Sequence, residues 1–134
     1  MVFSSYPPES IWLRRVVEPD DRPWRSSPSA DVLRLGDSFT NIYSLASMRW
    51  GSAAGFAEQL SFGLQRPIDR IVQNDDGAAA TRAIVHRRLG GGADPLAGKR
   101  VVIHQFAARE LAFGDWRLIP LDGAPQGPER TEPR

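Results

Sequence analysis

Three short apolar runs, each ended by glycine or polar residues, dominate the pattern of the chain. They lie at residues 31–35, which Gly36 ends, at residues 68–72 and at residues 100–104. Short runs rich in aliphatic and β-branched side chains are typical of strands that are buried over most of their surface. The sequence therefore predicts three strands, the first of them buried.

The segments between these strands have the features of helices. After the first strand, apolar residues recur at helical spacing behind Ser52 as a possible cap and stop before Pro67: Ala53, Phe56, Ala57, Leu60 and Leu64. Residues 78–89 are alanine-rich and follow the turn and capping residues Asp75 and Asp76. Residues 106–111 have the content of one or two helical turns. This alternation predicts an α/β fold with a parallel sheet and a site at the carboxyl ends of its strands.

The two ends of the chain differ from its middle. Residues 1–30 are rich in proline and serine, and they predict an extended arm with one strand at residues 11–17. Residues 116–120 are a candidate for a last strand. Residues 122–134 hold glycine, proline and charge with nothing to bury, so we expect them to be disordered. The predicted division is an arm (1–30), an α/β domain (31–121) and a tail (122–134).

Composition narrows the function. The 134 residues fit one domain. The 17 basic and 16 acidic residues leave a formal charge of +1, so the protein has no strong positive potential that would attract nucleic acid. The chain has no cysteine and only two histidines, far apart, so we expect neither a metal centre nor another cofactor. No apolar run approaches the ~20 residues of a membrane span, and residues 1–5 lack the character of a signal peptide. If Met1 is the true start, this predicts a cytoplasmic protein.

Ser38 is the candidate nucleophile. It follows the first strand directly, where a tight turn at Gly36 can lift its hydroxyl above the sheet edge. The oxyanion formed by attack on an ester needs positioned donors, for which the amides of Ser38 and Gly77 are candidates. The side chains of Asn74 and Gln105 are candidates for a third donor. The alternative is structural, since Asp37 and Ser38 also suit a turn and helix cap that bonds free amides.

Other residues at the same predicted edge have two interpretations each. His104, at the end of the third strand, is either a general base or a packed strand-end residue. Arg109 either binds a carboxylate or sugar hydroxyls or forms a surface ion pair with Glu110. Three aromatic residues are either a carbohydrate-stacking platform or part of the core: Trp50, Phe113 and Trp116.

Four blocks carry a resemblance to a known family: residues 31–41 (DVLRLGDSFTN), 50–60, 72–77 and 106–116. Together, over about residues 9–121, they resemble the SGNH hydrolase superfamily, in its AlgX/AlgJ-type branch of alginate O-acetyltransferase-like proteins. The resemblance implies an incomplete three-layer flavodoxin-like sheet, a periplasmic or exported setting, and transfer of acetyl groups to or from a polysaccharide through an acyl-enzyme. Ser38 matches the nucleophile and Gly77 the oxyanion glycine, while Gln105 stands where the superfamily has asparagine.

The chain departs from this family in its general base. The superfamily carries Asp-x-x-His near the C-terminus, or in this branch Asp-x-His upstream of the serine, and neither occurs here. We therefore expect the C-terminal part of a longer protein, weakly active or inactive alone, with the Asp-His supplied by another segment or a partner chain. The alternative is a non-catalytic remnant or carbohydrate-binding module. A sheet without its upstream elements is also expected to expose an apolar edge and to self-associate.

Overall fold

The computed structural model describes residue 7 and residues 9–122, and within them an α/β arrangement. The strands are β1 (Val32–Gly36), β2 (Asp69–Val72) and β3 (Val101–Gln105). The helices are α1 (Ser38–Asn41), α2 (Phe56–Leu64), α3 (Gly77–Gly90) and α4 (Glu110–Phe113), with a 3-10 turn at Ala46–Met48. The predicted α/β class is confirmed. The predicted tail lies outside the described residues except for Asp122.

The three strands form one parallel sheet in the order β2-β1-β3. Leu35 of β1 is in register with Ile71 of β2 on one side and His104 of β3 on the other. All five residues of β1 are buried, as its apolar pattern predicted, because a strand lies on each side of it and a helix packs on each face. Its carboxyl end lies in the middle of the sheet edge.

Apolar clusters lie on both faces of the sheet. Leu33, Leu35 and Ile71 pack with Val85 of α3. Successive strand residues point to opposite faces. Accordingly, Val32 packs on the other face with Ile68 and with Ala57 of α2. The helices that follow β1 and β2 therefore cover opposite faces.

Arg34, in the centre of β1, is completely buried although it carries a charge. Its Nη2 donates to Thr40 Oγ1 at 2.9 Å, and its guanidinium carbon lies 4.4 Å from the centre of the Phe56 ring. Nε and Nη1 have no partner among the described residues. Burial lowers the pKa of Arg34 to about 10, while the nearby carboxylate of Glu58 opposes this shift. The guanidinium is therefore still charged at neutral pH.

This charge explains why α2 turns a partly polar side to the sheet. Its buried residues are Ala57, Glu58 and Ser61, whereas Phe56 and Leu64 of the predicted apolar face are about half exposed. Glu58 Oε1 accepts a hydrogen bond from Ser44 and lies 3.3 Å from Arg70 Nη1. A carboxylate in this position offsets the charge of two arginines.

The turn after β1 is tight because Thr40 packs directly on Gly36. A Cβ added at Gly36 would overlap Thr40 Oγ1, the atom that accepts from Arg34. Glycine is therefore required here for close approach and not for an unusual backbone angle.

Several expected elements differ. Residues 11–17 form no strand, and only Val17 makes a single antiparallel bridge, with Pro23. Residues 116–120 are not a strand either, because side chains of α3 bind backbone carbonyls of this segment: Arg82 Nη1 donates to Arg117 O at 3.4 Å, and His86 Nδ1 lies 2.7 Å from Pro120 O. Ser52 does not cap α2, which begins after Gly55. Ala53, predicted as part of its apolar face, lies before the helix with a positive φ of 55°.

We expect Gly36→Ala to lower the free energy of unfolding by about 2 kcal/mol or more, since overpacking commonly costs 1–3 kcal/mol. Gly63→Ala is the matched control, because a Cβ there meets nothing within 4 Å and Gly63 lies inside α2. It should leave stability unchanged or raise it by up to about 1 kcal/mol. Urea unfolding measures both, and equal effects at the two positions would contradict the account of the turn.

Candidate functional site

The loops that follow the three strands are joined by hydrogen bonds at the carboxyl edge of the sheet. The loop after β1 (the β1 loop) binds the loop after β3 (the β3 loop) through Asp37 and Ala107. It binds the loop after β2 (the β2 loop) through Asn41 Nδ2, which donates to Asn74 Oδ1 at 2.6 Å. The β2 loop meets the β3 loop through the N-terminus of α3 and Glu110. The predicted location of the site is therefore a place where three loops come together.

Asp37 connects the first of these loops to the last. It is buried, and its Oδ1 accepts from Phe39 N at 3.0 Å, which caps α1. Its Oδ2 accepts from Ala107 N at 2.9 Å. The structural interpretation of the Gly-Asp-Ser triplet is thus correct for Asp37, because both carboxylate oxygens are occupied by backbone amides.

Ser38 begins α1 and is partly exposed. Its hydroxyl makes no hydrogen bond to any residue between 9 and 122. Its amide is also unused within that range, whereas the next two amides go to the side chain and carbonyl of Asp37. A serine whose hydroxyl and amide are both available at a sheet edge can contact a ligand with both groups.

Gly77 begins α3 with a positive φ of 57°. Asp76, the residue before it, does not cap the helix with its side chain, contrary to the sequence prediction. Glu110 takes this role: its Oε2 accepts from Ala78 N at 3.0 Å. A Cβ added at Gly77 would overlap the same oxygen. The side of the turn next to Gly77 is therefore already occupied by a carboxylate.

The two amide side chains proposed as donors are engaged to different extents. Asn74 is exposed, and its Oδ1 accepts from Asn41 Nδ2. Gln105 is partly buried, and its Oε1 lies at the limit of hydrogen bonding, 3.5 Å from Thr40 Oγ1. The oxygens of both amides face the β1 loop, so their NH₂ groups remain available as donors.

His104 lies on the α3 side of β3, because the preceding Ile103 packs on the α2 side. Its ring contacts Phe106 edge-to-face at 5.1 Å, and its Nε2 is buried without a partner among the described residues. Burial lowers the pKa of His104, and the positive charge of Arg82 adds to this shift. The backbone of Ala78 and the negative charge of Asp37 oppose it. The imidazole is neutral at neutral pH, but no hydrogen bond of the described chain joins it to Ser38.

Arg109 and the three candidate aromatic residues are exposed and make few contacts at the site. The Arg109 side chain is 65% exposed, lies 4.0 Å from Glu110 Oε1 and has its guanidinium carbon 5.6 Å from the centre of the Phe39 ring. Trp50 contacts Tyr43, Trp116 contacts Phe106, and Phe113 is 90% exposed. No contact among the described residues joins these three aromatic rings to one another, and all three are exposed, so the alternative that placed them in the core is wrong.

An open groove of about 610 Å³ lies along α3. Its lining includes small side chains of that helix, among them Ala79 and Ala83, and the charged residues Asp76, Arg87 and Arg117. The groove is large enough for part of a sugar or peptide chain.

Within the described residues, no group of three or more His, Asp or Glu side chains comes together where a metal ion could bind. None of the described helices combines the length and the apolar character that crossing a bilayer requires. Comparisons with protein families, curated proteins and solved structures found no match to this chain.

The lowered pKa of His104 predicts a dependence of stability on pH. As the pH falls below the ordinary value of 6.5, the unfolded chain takes up a proton that folded His104 resists, so stability is complete above this value and decreases below it. In His104→Gln this part of the decrease should disappear. Urea midpoints at about pH 5.5 and about pH 7.5 measure it. His86→Gln is the control, and an identical pH effect in wild type and His104→Gln would contradict the assignment.

Proposed function

We propose that this chain carries the serine-bearing part of an SGNH-type O-acyltransferase or esterase, related to the AlgX/AlgJ-type branch and acting on acetylated polysaccharide in the periplasm. The observation that carries the proposal is the position of Ser38. Its partly exposed, unbonded hydroxyl follows the central strand of a parallel sheet, at the edge where three loops meet. Sites of open parallel sheets are found at this edge.

The proposed chemistry uses Ser38 as a nucleophile. Its oxygen attacks the acetyl carbonyl, and its proton passes to a base. The tetrahedral oxyanion forms next to the amides of Ser38 and Gly77. When the intermediate collapses, the donor oxygen leaves with a proton and an acetyl-serine remains. A sugar hydroxyl or water then takes the acetyl group, and the proton returns to Ser38. The available NH₂ groups of Asn74 and Gln105 support a third contact to the substrate.

The base in this proposal comes from outside the described residues. A general base must reach the proton that it removes, and His104 makes no hydrogen bond to Ser38. The neutral form of His104 suits a base, but its buried Nε2 faces the α3 side of the sheet. An Asp-His pair on another segment or a partner chain would supply the missing function.

The finer fold is part of the proposal. The order β2-β1-β3 is the beginning of the flavodoxin-like order 2-1-3-4-5, which SGNH domains share. The outer edge of β2 is covered, since Ser27 N donates to Ile68 O and Arg70 N donates to Ser26 Oγ. By contrast, Val101 and Val102 of β3 are each 48% exposed. This asymmetry supports a further strand or a second molecule beside β3.

A non-catalytic carbohydrate-binding module is the second candidate. Two observations favour it: within the described residues no base is hydrogen-bonded to Ser38, and the carboxylate of Glu110 lies beside Gly77. The groove along α3 would then hold the ligand, and binding would not depend on Ser38.

The test is hydrolysis of an activated acetyl ester, with detection of acetyl-serine by mass spectrometry. Without its base, the wild type should react about a hundredfold or more below a complete enzyme. It should still exceed Ser38→Ala, and the acetyl group should map to Ser38. Ser47→Ala, which alters an exposed serine, is the matched control and should behave as wild type. Equal rates in wild type and Ser38→Ala, with no acetyl-serine, would refute the catalytic proposal. Polysaccharide binding that survives Ser38→Ala would then select the binding module.

A further inference from the structure

Glu110 has contacts that an ordinary surface carboxylate does not have. Its side chain is only 14% exposed, and its Oε2 accepts from Ala78 N at 3.0 Å. Its weak pairing with Arg109, at 4.0 Å, does not account for this burial. The carboxylate serves the first turn of α3, which lacks a side-chain cap of its own.

The surroundings of this carboxylate are shaped to receive it. A Cβ at Gly77 would overlap Oε2, and a Cβ at Gly114 would lie 2.9 Å from the same atom. The backbone of Glu110 is also fixed, because its carbonyl accepts from Gly114 N at 2.8 Å and from Trp116 Nε1 at 2.6 Å. Trp116 in turn lies 5.2 Å from the guanidinium of Arg82, one turn along α3 from Ala78. The segment from Glu110 to Trp116 therefore contacts α3 at both of its ends: Glu110 at Ala78 and Trp116 at Arg82.

We infer that Glu110 is a positioning residue for the site: its carboxylate fixes the turn that presents the Gly77 amide, by binding the next amide along the chain. The inference rests on the proposed function for the role of the Gly77 amide, while the positioning itself is a property of the fold. Glu110 acts through Ala78 and need not touch substrate. A carboxylate at this end of α3 also stabilises the helix dipole.

Two substitutions separate the hydrogen bond from the charge. Glu110→Gln keeps an acceptor oxygen of nearly the same shape, whereas Glu110→Ala removes acceptor and charge together. Asp75→Ala is the matched control, since Asp75 is an exposed carboxylate in the same loop that makes no hydrogen bond within the described chain. Amide hydrogen exchange, followed by NMR on the full chain, reports on Ala78 directly.

We expect exchange at Ala78 to accelerate about tenfold or more in Glu110→Ala, as loss of a hydrogen bond to a charged group implies. Glu110→Gln and Asp75→Ala should change it much less. The acceleration should be confined to the first turn of α3. Unchanged exchange at Ala78, or equal acceleration along the whole helix, would overturn the positioning role.

A double substitution tests the same contact through stability, independently of exchange at Ala78. Because Gly77→Ala would place a Cβ against the carboxylate, its loss of stability should be smaller in the Glu110→Ala background. Additive losses would overturn the inference. In the ester assay, Glu110→Ala should slow Ser38-dependent acetylation and Glu110→Gln should restore it. If the wild type shows no such acetylation, the proposed function fails while the exchange results still decide the role of Glu110.

Discussion

The carboxylate of Asp37 connects the two strand ends on which the site depends. One oxygen binds Phe39 N and starts α1, and the other binds Ala107 N and holds the loop after β3. The same loop leads to Glu110, which caps α3. Two carboxylates therefore tie all three loops together, each by binding backbone amides that would otherwise lack partners at a helix start or in a loop.

A second polar group, Arg34 with Thr40, lies beneath this edge and packs against the turn at Gly36. Arg34 is buried in the central strand, and Thr40 Oγ1, which accepts its hydrogen bond, lies directly against Gly36. Glu58 faces the same arginine from α2. Removing one member of such a group leaves the other buried without compensation. The Gly36 turn that places Ser38 at the surface is thus coupled to charges inside the protein.

The local sequence pattern predicts the three strands and α3, because the apolar runs and the alanine-rich segment that form them depend on residues close in sequence. It does not reveal pairings between distant residues: nothing near Arg34 or Glu58 in the sequence indicates that both charges are buried in the same interior. The sequence predicts the capping residues of α3 at Asp75 and Asp76, directly before the helix, yet Glu110, which follows β3 in the chain, accepts from the Ala78 amide. The strand expected at residues 116–120 failed because side chains of α3 bind its carbonyls.

The site depends on the bridge that the Asp37 carboxylate makes between the loops after β1 and β3. Scalar coupling across hydrogen bonds, measured by NMR between amide nitrogens and carboxyl carbons, detects this bridge. We expect both the Phe39 and the Ala107 amides to show a correlation to the carboxyl carbon of Asp37. A correlation from Ala107 to any other carbonyl or carboxyl carbon would contradict it.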